Sequence, residues 1–184
     1  MEPALVPLRA LKEPPVVVMT DAEGNGGIGV LVALPSGHLF YAYGIVPPWL
    51  IELIESFRRR GTYICQYELI AAVCAYLTFP ELLRGRPIHH FVDNQPALSG
   101  LIKGSSGLPD SALIIHAFYT EVAALGCRPW LNFVYSEDNG SDIPSRAFGR
   151  SAWHSELCAM AAAAQLRLVE PPTPLRFPRL AGWR

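Results

Sequence analysis

The chain predicts a mixed α/β domain: a five-stranded sheet, three antiparallel strands followed by two parallel ones, with helices on both faces. Three observations carry this expectation. β-Branched runs joined by short Gly- and Pro-containing turns come first. Long apolar helical stretches come later, alternating with two more strand-like runs. Of the 184 residues 51% are hydrophobic and 17% charged, the balance of a chain that buries a core. One domain is expected over residues 15–168, with an extended lead-in at 1–14 and a Pro-rich basic tail at 169–184.

The elements follow in order. "PPVVVMT" (14–20) is a β-branched run suited to a buried strand. "DAEGNGG" (21–27) has turn chemistry, "IGVLVAL" (28–34) is a second strand, and "PSGH" (35–38) turns into a third, "LFYAYGIV" (39–46). "PPWLIELIESFRRRG" (47–61) reads as a helix with Pro near its start, Arg58 to Arg60 in its last turn and Gly as its stop. "QYELIAAVCAYLTF" (66–79) is apolar nearly all round, a buried helix. "IHHFV" (88–92) is the fourth strand and "QPALSGLIKG" (95–104) a short helix. "PDSALIIHAFYTEVAALG" (109–126) is a long helix that starts at Pro-Asp and stops at Gly. "PWLNFVYS" (129–136) is the fifth strand, and a polar loop then leads to a helix over about 151–168. The tail either drapes over the domain through Leu175, Phe177 and Trp183 or serves as a linker.

Composition narrows the functional classes. Fifteen Lys and Arg against sixteen Asp and Glu leave a net charge of −1, which counts against tight free-standing nucleic-acid binding. A weak binder, or a module held by a partner, stays open. Cys65, Cys74, Cys127 and Cys158 form no CxxC pair, so they read as mostly buried thiols in a reducing compartment. No apolar run reaches the length of a membrane span and the N-terminus lacks the layout of a signal peptide, so an intracellular protein is expected.

Four acids stand apart from the rest. Asp21 follows an apolar strand, Glu68 falls in the first turn of the buried helix, Asp93 closes the fourth strand, and Asp142 follows the fifth. Separations of 47, 25 and 49 residues mean that only the fold can join them. If the first and fourth strands pair in parallel, Asp21 and Asp93 become neighbours and Glu68 reaches them from the helix above. Close carboxylates repel, and a shared proton or a hard divalent cation relieves them. Taken singly, each acid also has a plain structural reading. Asp93 and Asn94 can cap the helix at Gln95, Asp142 can cap the turn after it, and Asp21 can serve the hairpin. Glu68 fits such a reading least, because a lone acid on an apolar helix costs several kcal/mol, of the order of 3–5.

At these positions the sequence resembles the ribonuclease H domain attached to reverse transcriptases, in particular of DIRS-like retroelements. The likeness is carried by "VVVMTDAEGNGGIGVLV", "ICQYELIAAVCAYL", "HHFVDNQPALSGLIKGSS" and "NFVYSEDNGSDIPSRAFG", in that order. The resemblance implies a ribonuclease H-like fold and hydrolysis of the RNA strand of an RNA–DNA hybrid with two Mg²⁺ (or Mn²⁺) ions. Asp21, Glu68, Asp93 and Asp142 would be both catalytic residues and metal ligands. Glu68, Asn94 and the backbone near Ala22 to Gly24 would be candidates for reading the 2′-hydroxyl; Lys103 and Arg146, which adjoin acid-bearing motifs, are candidates for a phosphate track, with a solvated surface role open for each. It also implies a reverse transcriptase domain or another polyprotein segment as partner.

Two departures from that pattern stand out. The loop "SEDNGSD" lacks the His that many members carry before the last Asp; Glu137, Asp138 or His154 would have to replace it. No basic, aromatic-bearing protrusion is visible. A non-catalytic nucleic-acid platform of the same fold is therefore the competing expectation. "TDAE" resembles the first motif of 3′–5′ exonucleases, but Asp138 stands where their Tyr or His would be. Integrases place their glutamate last, unlike the order here. His89 and His90 read as satisfied structural residues.

Overall fold

The computed structural model describes residues 14–57 and 61–180. The lead-in at 1–13, the arginines at 58–60 and Trp183 lie outside the described residues.

The strands are β1 (Val16–Ala22), β2 (Gly27–Ala33), β3 (His38–Ile45), β4 (Pro87–Val92), β5 (Arg128–Phe133) and a two-residue β6 (Arg167–Leu168). They form one sheet in the order β5-β4-β1-β2-β3-β6. β1, β2 and β3 are antiparallel, and β4 and β5 run parallel to β1. The mixed sheet thus matches expectation, with β6 as an addition beside β3. A helix over 151–168 was expected there. It ends instead at Ala163, and Gln165 turns the chain through a left-handed φ of 56° into β6.

The helices are α1 (Pro48–Phe57), α2 (Ile64–Thr78), α3 (Pro80–Leu83), α4 (Gln95–Lys103), α5 (Pro109–Leu125), α6 (Asp142–Ser145) and α7 (Trp153–Ala163). α2 is buried along almost its whole length, which its all-round apolar sequence demands. It packs between the sheet and α5, in a core with Val16, Val18, Val30 and Phe118. α7 covers the opposite face through Leu157 and Ala161, against Leu31, Leu39 and Tyr41.

Two boundaries move in ways that matter for the site. α2 starts at Ile64 rather than Gln66, so Glu68 sits in its second turn, not its first. β1 runs on through Asp21 to Ala22, so Asp21 belongs to the strand and not to the hairpin turn. Residues 169–180 lie against the domain: the Val169 and Thr173 amides donate to the Leu39 and Tyr41 carbonyls, and Leu180 is buried in the main core. Of the cysteines, Cys74 and Cys127 are buried, Cys65 is half-buried and Cys158 is exposed. Among the described residues no helix is long and apolar enough to cross a membrane.

Candidate active site

β1 and β4 pair in parallel with Thr20 opposite Val92. That register delivers Asp21 and Asp93 side by side at the carboxyl ends of their strands, where open α/β sheets form their sites. Asp21 alternates with Met19 toward the face that carries α6 and α7, while Glu68 arrives from α2 on the other face. The three carboxylates meet at the sheet edge, with one oxygen from each within 4.8 Å of the others. Asp21 is 5% exposed, Glu68 2% exposed, and Asp93 half-buried.

Burial and crowding set the protonation of this group. Desolvation first, then the Asp21 and Asp93 charges, push Glu68 up to about 10, against the Ala22 amide that donates to its Oε1 at 3.2 Å. Its other oxygen, Oε2, is buried without a hydrogen-bond donor. Asp21 is pushed up to about 7, again by burial first. The Ser145 side chain opposes that shift, and the Asp93 and Asp142 carboxylates add to it. Oxygen-only donors, crowded charge and a buried acceptor with no donor are the chemistry of a site for a hard divalent cation.

Asp142, the first residue of α6, lies within electrostatic reach of Asp21 but outside the three-acid group. It does not cap α6. Its Oδ1 accepts from Arg146 Nε at 2.7 Å, and Nη2 lies 2.6 Å from the same oxygen in an ion pair. Asn94, by contrast, does cap: its Oδ1 accepts from the Ala97 amide at 3.0 Å, anchoring α4 beside Asp93. Lys103 is exposed in the last turn of α4, about 12 Å along the axis from Gln95. It is not drawn into the acidic group, whereas Arg146 is paired with Asp142 and its charge also favours ionised Asp21.

Neighbouring candidates resolve differently. His90 is fully buried, with Nε2 3.0 Å from Thr20 Oγ1 and Nδ1 3.2 Å from Tyr76 Oη; burial pushes its imidazole down to about 3, so it stays neutral. It is a satisfied core residue, and His89 is exposed. His154 is engaged away from the acids, 2.7 Å from Glu170. Glu137 and Asp138 sit exposed on a short 3₁₀ turn.

Four residues that single-acid reasoning passes over position the site. Buried Asn139 donates to the Thr20 carbonyl at 3.1 Å, tying the α6 loop to β1 next to Asp21. Ser145 lies beside Asp21 and eases its ionisation, while its hydroxyl donates to the Asp142 carbonyl at 3.0 Å. Gly27 and Gly29 lie in β2, and Gly29 pairs with Asp21. A Cβ on Gly29 would strike the Ser141 carbonyl oxygen and come within 2.5 Å of the Ser145 amide, and one on Gly27 would strike the Ser145 carbonyl. Alternating glycines inside a strand mark such close backbone approach, and that signal is readable in "GGIGVLV".

No family model matches the chain, and no curated protein matches it. Solved structures do. Ribonuclease H1 from the halophilic archaeon Halobacterium salinarum is similar with a TM-score of 0.55 and 16% identity, over 73% of this chain and 98% of the other. The N-terminal ribonuclease H domain of a Mycobacterium tuberculosis protein, solved as a maltose-binding-protein fusion, gives 0.52 and 12%, over 82% and 97%. These likenesses show the fold: the chain has the ribonuclease H-like architecture, with an acidic group at the carboxyl end of its central strand.

Proposed function

We propose that this chain is a divalent-metal-dependent endonuclease that hydrolyses the RNA strand of RNA–DNA hybrids. The reading rests on one observation above the others: Asp21, Glu68 and Asp93, far apart in sequence, bring carboxylate oxygens within 4.8 Å of one another. Asp21, Glu68, Asp93 and Asp142 are the proposed ligands of two Mg²⁺ or Mn²⁺ ions. Bound there, the ions would supply a hydroxide nucleophile at neutral pH and stabilise the leaving oxygen.

The chain's own residues do the rest. Asp21, on which the charges of both Asp93 and Asp142 act, would help hold both ions. Glu68 is held by the Ala22 amide, so its second oxygen faces the cation. The Asn94 amide nitrogen and the backbone from Ala22 to Gly24 flank the group and are assigned to the ribose 2′-hydroxyl. Lys103 and Arg146 are assigned to phosphates, a weak cationic grip in keeping with the near-neutral charge. Origin in a reverse-transcriptase-bearing retroelement, such a domain as partner, and an intracellular setting belong to the same proposal and rest on the motif likeness.

The test is cleavage of a labelled RNA–DNA hybrid in Mg²⁺, with single-stranded RNA and duplex DNA as controls. Wild type should cut the RNA of the hybrid, and Asp21→Asn or Asp93→Asn should reduce the rate by at least about a hundredfold, the scale of lost transition-state charge stabilisation. No cutting by wild type, or equal cutting by both variants, contradicts the proposal. The grip of Arg146 on Asp142 favours a second reading, a non-catalytic platform of the same fold, which the same assay would reveal as hybrid binding without cleavage.

A further inference from the structure

The cationic partner of Asp142 sits in the chain itself. Arg146 follows four residues later at the end of α6, and both Nε and Nη2 converge on Asp142 Oδ1, at 2.7 and 2.6 Å. The pair is partly shielded, with the Asp142 side chain 25% exposed and that of Arg146 46% exposed. One charge-assisted hydrogen bond, reinforced by a second close guanidinium nitrogen on the same oxygen, makes a strong hold. Asp21, Glu68 and Asp93 have no such arrangement: among the described residues no Lys or Arg forms an ion pair with any of them.

We infer that Arg146 is a tethered counter-cation that competes with a divalent ion for Asp142, and so sets how much metal the Asp142 side of the site requires. This inference rests on the proposed metal-dependent function and adds to it a regulator of ion occupancy. With Nε and Nη2 both against Oδ1, that oxygen is screened from a divalent ion for as long as Arg146 holds it. To coordinate metal, Asp142 must release Arg146 or turn its other oxygen outward. Arg146 is therefore a positioning residue, acting through Asp142. Once released it is free to meet an anion, which ties filling of the Asp142 side to a phosphate close enough to accept the guanidinium. The three-acid group, which no Lys or Arg pairs with directly among the described residues, fills first.

Counting bound Mn²⁺ by the electron paramagnetic resonance signal of the free ion tests this without any turnover. Wild type should show one tighter ion and a weaker one that Asp142→Asn removes. Arg146→Ala should lower the Mn²⁺ concentration that half-fills the weaker class by about three- to tenfold, the range expected for losing a partly exposed to well-formed ion pair. Arg146→Lys, which keeps the charge but cannot place two nitrogens on one oxygen, should fall between. Arg150→Ala removes the same charge from an arginine paired with Glu156 and should match wild type. Adding Arg146→Ala to Asp142→Asn should bring no further gain.

If the weaker class is unchanged in Arg146→Ala, or if Arg150→Ala shifts it equally, the competition is refuted while the metal site stands. If no Mn²⁺ binds to wild type, the proposed function fails with it. Thermal melts in EDTA confirm that each variant is folded before the ions are counted.

Discussion

At the scale of single residues, the site is held in tension by its own charges. Glu68 and Asp21 keep their protons to about 10 and about 7 because burial and like charges disfavour ionisation. Both folded values lie above the unfolded ones, so between them the folded state binds more protons than the unfolded chain. Their contribution to stability is then fully present below about pH 4 and is lost as pH rises through 7 toward 10. Metal-free protein should melt at steadily lower temperature from pH 6 to 9. Glu68→Gln, which keeps the bond from Ala22 but carries no charge, should flatten that slope. It should raise the melting temperature at pH 8 by a few degrees, since about 1 kcal/mol corresponds to 2–4 °C at this size. Saturating Mn²⁺ should stabilise wild type and do little for the variant. Calorimetry in EDTA and in Mn²⁺ measures both. Legibility at this scale was uneven. Asp21, Glu68 and Asp93 stand out because ionised groups adjoin apolar runs. The capture of Asp142 by Arg146 depends on rotamers that spacing alone does not determine.

At the scale of elements, the decisive contact is α6 against β2. Four residues of helix reach Asp21 only because Gly27 and Gly29 leave the strand surface bare where the Ser141 to Ser145 backbone crosses it. Gly29→Ala should force α6 away from β1, costing about 1–3 kcal/mol as overpacking against backbone does. Hybrid cleavage should drop well beyond what the lost stability explains. Gly107→Ala, whose Cβ would meet nothing within 4 Å, should leave both nearly unchanged. Denaturant melts read beside cleavage rates separate the two cases. β1 to β5, α2, α4 and α5 were legible because hydrophobic period and turn residues agree there. α6 was not, because four residues carry too little pattern and "DIPS" looks like loop. β6 was missed because "AAAAQLRL" has strong helical propensity, and hydrogen bonds from Arg167 to Gly37 and from Val169 to Leu39 override it.

At the scale of the whole molecule, pairing five strands around β1 converts four distant motifs into one edge, and a strap from the tail closes the opposite side of the sheet. Residues 169–180 cover the β3 edge and bury Leu180, while Leu175 and Phe177 pack against the main core. Deleting residues 169–184 should therefore lower the melting temperature by several degrees, whereas a mere linker would leave it unchanged; a thermal melt decides. The parallel pairing of β1 with β4 was legible from the acids themselves, since it alone makes Asp21 and Asp93 neighbours. The course of the strap was not, because a Pro-rich segment has no period to show where it docks. The proposed chemistry of the site turns on whether Asp21, Glu68 and Asp93 share a cation. The most direct measurement is an anomalous difference map from a crystal grown in Mn²⁺. It should show a peak bonded to an oxygen of each carboxylate at about 2.0–2.3 Å, the range of hard-cation ligation. Saturating Mn²⁺ with no peak among these three side chains would contradict the account.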